Sequence, residues 1–211
     1  MSREKSYKLL ILDYGGVYSF EYNVTAFDTI MKESFGVVPS DSDRASIAPL
    51  SRLLAANRIT TEQYVARVAE VLGSSSQDVA RFEAATLRVT FDPSEPMRVL
   101  VGEVKARGIA VSLLSDMYLF EVEKTRPWGR YDQFDYAAFS AEAGFTKADP
   151  EFFMQTLQHF NHNPGDVLFV DDTESHLQTA QMLGIDTLHS DKTIYHTPDN
   201  LVEAIKTKLS I

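Results

Sequence analysis

The sequence contains no cysteine among its 211 residues. This absence excludes disulfide bonds, thiolate nucleophiles and thiolate-bound metals. Long apolar runs are missing as well. The first run, Leu9–Leu12, is too short for a signal-peptide core or a membrane span, and no later run approaches spanning length. We therefore expect a cytoplasmic protein.

Positive charge is also scarce. The chain has 20 Lys and Arg residues against 30 Asp and Glu residues, which gives a formal net charge of −10 at pH 7. A broad attraction to nucleic acid or to an anionic membrane is not expected, so a phosphate group would have to bind in a local pocket. The apolar share of 44% and the length suit one globular domain with a modest insertion.

Short, nearly continuous aliphatic runs predict buried parallel strands. Three such runs are Leu9–Leu12, Ile109–Leu114 and Val167–Val170, and weaker strands are predicted at Asp135–Phe139 and Asp186–His189. Helical patterns lie between and after them, at Pro96–Arg107, Asp149–Asn161, Thr173–Leu183 and Pro198–Leu209. Because strands alternate with helices, the sequence predicts an α/β fold with a doubly wound, Rossmann-like parallel sheet.

The stretch from 21 to 89 has helical periodicity and almost no strand signal. Four amphipathic helices are predicted there, at Val24–Phe35, Ser42–Ala56, Thr61–Leu72 and Ser76–Thr90. Thr60 and Gln63 have the spacing of a capping box. Phe27, Phe35 and Tyr64 are spaced as core residues of these helices. We therefore predict an all-helical domain at 21–89 inserted into an α/β core formed by 1–20 and 90–211.

Polar clusters follow the three strongest strands. Asp13 ends the first, Ser115 and Asp116 end the second, and the pair Asp171-Asp172 ends the third. The carboxyl ends of parallel strands share one edge of a sheet, so these groups are expected to converge. Lys147 precedes a predicted helix and adds an ammonium. Carboxylates, a hydroxyl and an ammonium are what magnesium-assisted phosphoryl transfer requires.

Each residue alone also has an ordinary structural interpretation. Asp13 could end a strand in a turn, Ser115 could cap a helix, and Lys147 could be a solvated surface lysine. The acidic pair could favour the positive end of the following helix. Only their combination, in this order at strand ends, favours a site.

Two other features have simpler interpretations. His176 lies one helical step beyond the acidic pair, where a surface position on the helix is the simpler expectation. The stretch Arg126–Tyr131 places aromatics beside cations, and loop packing is favoured over a position at a pocket mouth.

These clusters resemble the four motifs of the haloacid dehalogenase superfamily, over nearly the whole chain. Asp13–Val17 resembles the first motif and Leu113–Asp116 the second. Lys147 with Asp149-Pro150 resembles the third, and Phe169–Asp172 resembles the acidic fourth. The helical insertion resembles the cap that the family carries just after its first motif.

One branch of the superfamily is particularly similar. Arg58–Tyr64 and Phe134–Gly144 resemble the branch that includes glucose-1-phosphate phosphatases and the N-terminal phosphatase domain of mammalian epoxide hydrolase. The resemblance implies a phosphatase for a small phosphorylated metabolite, with a sugar phosphate as the branch's default substrate.

The resemblance also implies roles for individual residues. Catalysis would use Asp13 as the nucleophile that becomes phosphorylated, with Ser115 and Lys147 holding the phosphoryl oxygens. Substrate contacts would come from Tyr14, Gly15 and Asp116, the first two through backbone N–H groups. Mg²⁺ would be held by Asp13, the Gly15 carbonyl, Asp171 and Asp172, and the sequence leaves open which member of the acidic pair binds it directly.

Gly15 departs from the usual phosphatase pattern, in which an aspartate two residues after the nucleophile transfers protons. Glycine has no side chain for this task, and general acid–base catalysis typically contributes about 10²–10⁴ in rate. Three substitutes stay open at this point: Asp116, water on the metal, or a substrate whose leaving group needs little protonation.

Two other functions compete with the phosphatase. One is a non-catalytic or regulatory protein of the same fold that binds a phosphorylated ligand or a protein partner. The other is a haloacid dehalogenase, which needs no metal. In a dehalogenase, Asp171 and Asp172 would be unpaired anions beside a nucleophilic carboxylate, which is electrostatically costly. The sequence does not indicate an oligomeric state.

Overall fold

The computed structural model describes residues 6–20, 25–89 and 92–211. Its centre is a five-stranded sheet in which every strand pair is parallel, in the order β3-β2-β1-β4-β5. The strands are β1 (Leu9–Leu12), β2 (Ala110–Ser115), β3 (Tyr136–Phe139), β4 (Val167–Asp171) and β5 (Asp186–His189). The predicted α/β fold is confirmed, and the predicted strand bounds differ by at most one residue.

Helices surround this sheet. They are α1 (Thr25–Phe35), α2 (Asp41–Ala55), α3 (Thr61–Leu72), α4 (Val79–Arg88), α5 (Glu95–Ala106), α6 (Leu119–Thr125), α7 (Ser140–Ala143), α8 (Pro150–Phe160), α9 (Glu174–Met182) and α10 (Pro198–Leu209). In the described part of the chain, no helix is both long and apolar enough to cross a membrane. The cytoplasmic location expected from the sequence stays a prediction.

Alternate residues of the strands enter two separate cores, because successive side chains of a strand point to opposite faces. Leu10 and Leu12 of β1 pack with residues of α5 and α10. Leu9 and Ile11 pack with residues of α8 and α9 on the other face. All four side chains are fully buried, which is why the strand reads as a continuous aliphatic run.

The helices α1 to α4 form a third buried cluster. Phe35 and Tyr64 lie in it, as predicted, whereas Phe27 is only partly buried. The predicted capping box is confirmed: Gln63 N–H donates to Thr60 Oγ1 at 3.3 Å and Thr60 N–H donates to Gln63 Oε1 at 3.0 Å.

The predicted division into a domain at 21–89 and a core is not tested. Its two junctions fall at residues 21–24 and 90–91, outside the described residues, as do the predicted helix ends Val24 and Thr90. The division stays a prediction.

Three local features differ from the sequence prediction. Helix α4 begins at Val79 rather than Ser76, because Asp78 caps it while the Ser76 hydroxyl donates to the Ser34 carbonyl at 2.8 Å. Helices α6 and α7 were not predicted. Both helices are short. Helix α6 begins after Tyr118 and helix α7 begins after Phe139, and neither residue is a preferred N-cap.

Strand register brings the polar clusters together. Leu12, the last residue of β1, pairs with Leu113 of β2 and with Val170 of β4. Asp13, Ser115 and Asp171 lie one or two residues beyond these positions, so they come together at the carboxyl edge of the sheet, where ligands bind in open α/β folds.

Candidate active site

Asp13 lies at the carboxyl edge of the central strand and is almost fully buried, with 7% of its surface exposed. Its N–H donates to the Val170 carbonyl at 3.0 Å, which continues the pairing of β1 with β4. Its Oδ1 accepts the Tyr14 N–H at 2.7 Å and lies 2.7 Å from Lys147 Nζ. The backbone thus holds the carboxylate in one orientation beside a cation.

Lys147 is 2% exposed, so its interpretation as a surface lysine is wrong. A tight turn presents it: Asp149 Oδ2 accepts the Thr146 N–H at 2.9 Å, and Asp116 Oδ1 accepts the Lys147 N–H at 3.0 Å. Its Nζ donates to Asp171 Oδ2 at 2.7 Å in addition to pairing with Asp13. Burial alone would lower the pKa of Lys147, but these carboxylates raise it, so the ammonium stays charged.

The two members of the acidic pair have different surroundings. Asp171 is fully buried, and its Oδ1 accepts the Thr173 N–H at 2.7 Å. Burial alone would raise its pKa, but Lys147 and His176 lower it to about 2. Asp172 is half-buried, and burial together with the neighbouring Asp171 raises its pKa. The expectation that both would be unpaired without a metal is therefore wrong for Asp171.

The second glycine after Asp13 makes room for Asp172. Gly16 has φ +74°, a conformation that favours glycine, and a Cβ there would overlap the Asp172 carboxylate. The buried Ser190 hydroxyl donates to the Gly16 carbonyl at 2.8 Å and holds this loop in place.

The carboxylates of Asp13, Asp171 and Asp172 fit a divalent cation. Each offers one oxygen, and these atoms lie within 4.8 Å of one another. Burial raises the pKa of Asp13 well above its ordinary value; Lys147 opposes this, and the other two carboxylates add to it. When ionised, the three carboxylates carry more negative charge than the single Lys147 ammonium can balance. Carboxylate oxygens are also the ligands that Mg²⁺ prefers.

Ser115 ends β2 and Asp116 follows it, and both line the same cavity as Asp13 and Lys147. Ser115 is 3% exposed, at the last position of the strand. Burial raises the pKa of Asp116, and the opposing effects of Lys147 and His176 are weaker. Asp116 is therefore a carboxyl group that holds a proton more tightly than an exposed aspartate would.

His176 is the site residue that sequence reasoning undervalued. It does not sit on a free surface: its side chain is 19% exposed and lines the cavity. Its Nδ1 lies 3.2 Å from Asp171 Oδ1, and its Nε2 lies 3.8 Å from Asp116 Oδ2. The available signal was its position in the first turn of α9, directly after the acidic strand end, because that turn faces the carboxyl edge of the sheet.

Tyr14 and Gly15 also line the cavity, and their role as substrate contacts stays a prediction. The ring of Tyr14 packs edge-on against Tyr18 and Tyr131, with centroids 6.0 and 5.8 Å apart. Tyr131 is buried by these contacts, which confirms loop packing for its part of the Arg126–Tyr131 stretch.

A cavity of about 370 Å³ lies between the carboxyl edge of the sheet and the cluster formed by α1 to α4. The carboxylates and Lys147 form one end of it. Side chains of α1, α2 and α4, together with residues that follow β2, form the rest of its wall. A charged end and a separate wall can hold the two parts of a small anionic ester.

Comparison with known proteins gives one family. A model of the haloacid dehalogenase-like hydrolase family matches residues 24–184. Acyl-CoA dehydrogenase family member 10 of Mus musculus is 26% identical over 213 residues, which is 97% of this chain and 19% of the mouse protein. Sesquiterpene phosphatase astK of Aspergillus oryzae is 31% identical over 110 residues, or 50% of this chain and 56% of the fungal protein. The chain thus spans only part of the length of these relatives.

Solved structures give the same fold. A HAD family enzyme of Bacteroides thetaiotaomicron, in complex with magnesium and inorganic phosphate, superposes with a TM-score of 0.68 at 21% identity. The match covers 87% of this chain and 94% of the bacterial one.

Proposed function

Because the chain belongs to the haloacid dehalogenase-like hydrolase family, we propose that it is a Mg²⁺-dependent phosphatase that hydrolyses a small phosphorylated metabolite. The observation that carries this proposal is the position of Asp13, whose carboxylate contacts Lys147 and lies beside the acidic pair at one end of a cavity. The phosphatase among the relatives and the magnesium and phosphate in a structural neighbour support it.

In the first half of the reaction, an Asp13 oxygen attacks phosphorus and the bond from phosphorus to the ester oxygen breaks. The leaving oxygen takes a proton and departs as an alcohol. In the second half, water attacks the phosphorus of the aspartyl phosphate, inorganic phosphate leaves, and the Asp13 carboxylate is regenerated. Ser115, Lys147 and the backbone N–H of Gly15 hold the phosphoryl oxygens in this scheme, while the Tyr14 N–H stays bonded to Asp13 Oδ1.

Asp13, Asp171, Asp172 and the Gly15 carbonyl would hold Mg²⁺. When bound, the ion neutralises charge on the carboxylates and on the transferring phosphoryl group. Lys147 orients Asp13 through the 2.7 Å ion pair, and it keeps Asp171 ionised.

We assign the proton transfer that Gly15 cannot perform to Asp116. Asp116 lines the cavity, and burial raises its pKa, so it can carry a proton at higher pH than an exposed aspartate. It touches the backbone of Lys147, which keeps it beside the phosphoryl site. A group in this position can protonate the leaving oxygen and then accept a proton from the attacking water.

The helical stretch 21–89 is proposed to act as a cap that closes over the substrate and excludes water. Residues of α1, α2 and α4 form part of the cavity wall, which is the arrangement such a cap requires. Dehalogenation is disfavoured because Asp172, the half-buried member of the acidic pair, has no role in it and is costly to ionise beside Asp171.

The test is phosphate release from a panel of small phosphate esters with MgCl₂, for the wild type and for Asp13→Asn. We expect turnover by the wild type and background rates for the variant. Asp191→Asn, which alters a partly exposed carboxylate that accepts the Thr193 N–H, is the control and should retain activity. A wild type no faster than Asp13→Asn on every ester would instead support the non-catalytic alternative.

Binding of Mg²⁺ is tested separately, by the shift of the melting temperature with MgCl₂. A ligand that binds only the folded state at about 100 times its Kd stabilises it by about 2.7 kcal/mol. Asp172→Asn should lose most of this shift, and Asp191→Asn should keep it. An equal shift in both variants would contradict the proposed metal site.

A further inference from the structure

The wall of the cavity opposite the catalytic carboxylates is mostly apolar. Ten residues beyond the catalytic end line it, and six of them are apolar or aromatic. These are Phe27, Ile30, Ala55, Val89, Met117 and Tyr118. They come from α1, the end of α2, the end of α4 and the segment after β2, so the apolar surface surrounds the space rather than forming one strip.

The polar members of this wall are mostly engaged within the protein. The Thr86 hydroxyl donates to the Phe82 carbonyl at 2.9 Å, and the Ser51 hydroxyl lies 2.9 Å from the Tyr64 hydroxyl. Glu121 Oε2 accepts the Tyr118 N–H at 3.0 Å. Arg52 is exposed. Three of the four polar side chains thus already hydrogen-bond within the protein, and the side chains of Phe27, Ile30, Ala55 and Val89 offer a ligand no hydrogen bond.

From this wall, and resting on the phosphatase function proposed above, we infer the substrate class. The structure assigns a phosphate monoester whose organic part is apolar and carries few hydroxyl groups. The phosphate occupies the end formed by Asp13 and Lys147, and the apolar part contacts Phe27, Ile30 and Met117. A volume of about 370 Å³ is at the small end of ligand pockets, so the organic part is short.

A sugar phosphate fits this wall poorly. A hydroxyl group placed against the apolar residues of this wall would lose water and gain no partner, which is unfavourable for a buried polar group. Each buried CH₂ group of an alkyl chain instead contributes about 0.8 kcal/mol, close to a fourfold gain in affinity. The preference for an alkyl phosphate over a sugar phosphate should therefore appear in binding affinity as well as in the rate of hydrolysis.

The experiment compares two phosphonates that cannot be hydrolysed, n-hexylphosphonate and its 4,5,6-trihydroxy analogue. Binding to the wild type with MgCl₂ is measured by calorimetry. We expect n-hexylphosphonate to bind at least about tenfold more tightly. Equal affinities, or tighter binding of the hydroxylated compound, would overturn the inference.

Hydrolysis of n-hexyl phosphate and glucose 6-phosphate is measured in parallel. A preference of at least about tenfold in kcat/KM for the alkyl ester supports the inference. If neither ester is hydrolysed while n-hexylphosphonate still binds preferentially, the phosphatase function fails and the assigned ligand class stands. If glucose 6-phosphate is hydrolysed as well or better, the phosphatase stands and the ligand class is wrong.

A single substitution tests whether the apolar part of the ligand contacts Phe27. Phe27 is partly buried and lies at the edge of its helical cluster, so Phe27→Ala should fold. It should weaken n-hexylphosphonate binding about five- to tenfold. Val99→Ala, at a half-exposed apolar position on α5 away from this wall, is the matched control and should not change it. Unchanged binding by a folded Phe27→Ala protein would overturn the placement of the apolar part.

Discussion

Lys147 Nζ lies 2.7 Å from Asp13 Oδ1, and both side chains are withdrawn from solvent. The same ammonium lies 2.7 Å from Asp171 Oδ2, so one cation joins the carboxyl ends of β1 and β4. This contact orients the proposed nucleophile and also stabilises two carboxylates that would otherwise be buried without a counter-charge. The site therefore couples activity to stability.

Replacing Lys147 should destabilise the fold strongly. Lys147→Met leaves Asp13 and Asp171 buried without an ammonium, and breaking a buried ion pair from one side typically costs about 3–5 kcal/mol. Urea denaturation without divalent cations measures the loss. The control is Lys8→Met, which breaks an exposed pair with Asp166 and should cost less than about 1 kcal/mol. Equal losses in the two variants would contradict the proposed importance of the buried pair.

Two glycines with similar backbone conformation should respond differently to alanine. Gly16 and Gly36 have φ +74° and +77°, so alanine at either should cost about 1 kcal/mol or more of stability. Only at Gly16 would the added Cβ overlap Asp172. Gly16→Ala should therefore also lose phosphatase activity and the MgCl₂-induced rise in melting temperature, whereas Gly36→Ala should keep both. If Gly16→Ala still shows the MgCl₂-induced rise in melting temperature, the observed position of Asp172 is not required for metal binding.

Asp116→Asn should slow esters with poor leaving groups selectively. The amide oxygen can still accept the Lys147 N–H, but it cannot supply a proton. We expect kcat for n-hexyl phosphate to fall about 10²–10³-fold and kcat for p-nitrophenyl phosphate to fall much less. Equal losses on the two esters would indicate a structural role for Asp116 rather than proton transfer.

The pH profile gives an independent test of the same assignment. Burial raises the pKa of Asp116, and a general acid acts only while protonated. Wild-type activity on n-hexyl phosphate should therefore decrease as pH rises through that raised pKa. The decrease should be absent from the residual activity of Asp116→Asn. A profile of unchanged shape in the variant would contradict the assignment.

Asp135 should contribute stability that depends on pH. Burial opposes ionisation, but hydrogen bonds from Lys105 and from the Val111 N–H lower the pKa of Asp135 below its ordinary 3.8. A lowered pKa in the folded state stabilises it above pH 3.8, and this contribution is lost as pH falls through the folded-state value.

Asp135→Asn should therefore cost about 0.5 kcal/mol at pH 7, since the Lys105 pair is partly exposed. The cost should shrink as pH falls below 3.8. Urea denaturation at several pH values measures it, with exposed Glu70→Gln as the control. A cost that does not change with pH would assign the effect to packing rather than to ionisation.

Most elements of the sheet were predictable from sequence because their signals are local. The aliphatic runs of β1 and β4 predict buried strands, and the polar residues after them predict strand ends at a common edge. Thr60 with Gln63 predicts a helix start in the same local way. Helix α6 was missed because it follows the strand end after a short turn and begins after Tyr118, which is a poor cap by type.

The sequence predicted which residues form the candidate site better than it predicted which of them touch. Asp13, Ser115, Lys147 and the acidic pair were identified from their order along the chain. Whether they touch depends on strand register and on the turn before α8, which no local pattern fixes. His176 was undervalued for this reason, since a helical histidine looks the same in sequence whether its ring faces water or Asp171.

The sequence by itself determined that this is an acidic α/β protein without thiol chemistry, with carboxylates, a hydroxyl and a lysine at successive strand ends. Those properties follow from composition and from local periodicity. Only the tertiary structure decided that Lys147 pairs with Asp13 and Asp171, and that the cavity wall beyond them is apolar. Both depend on residues far apart in the chain. Only packing withdraws these charges from water, so that they interact strongly, and only packing places the apolar side chains around one cavity.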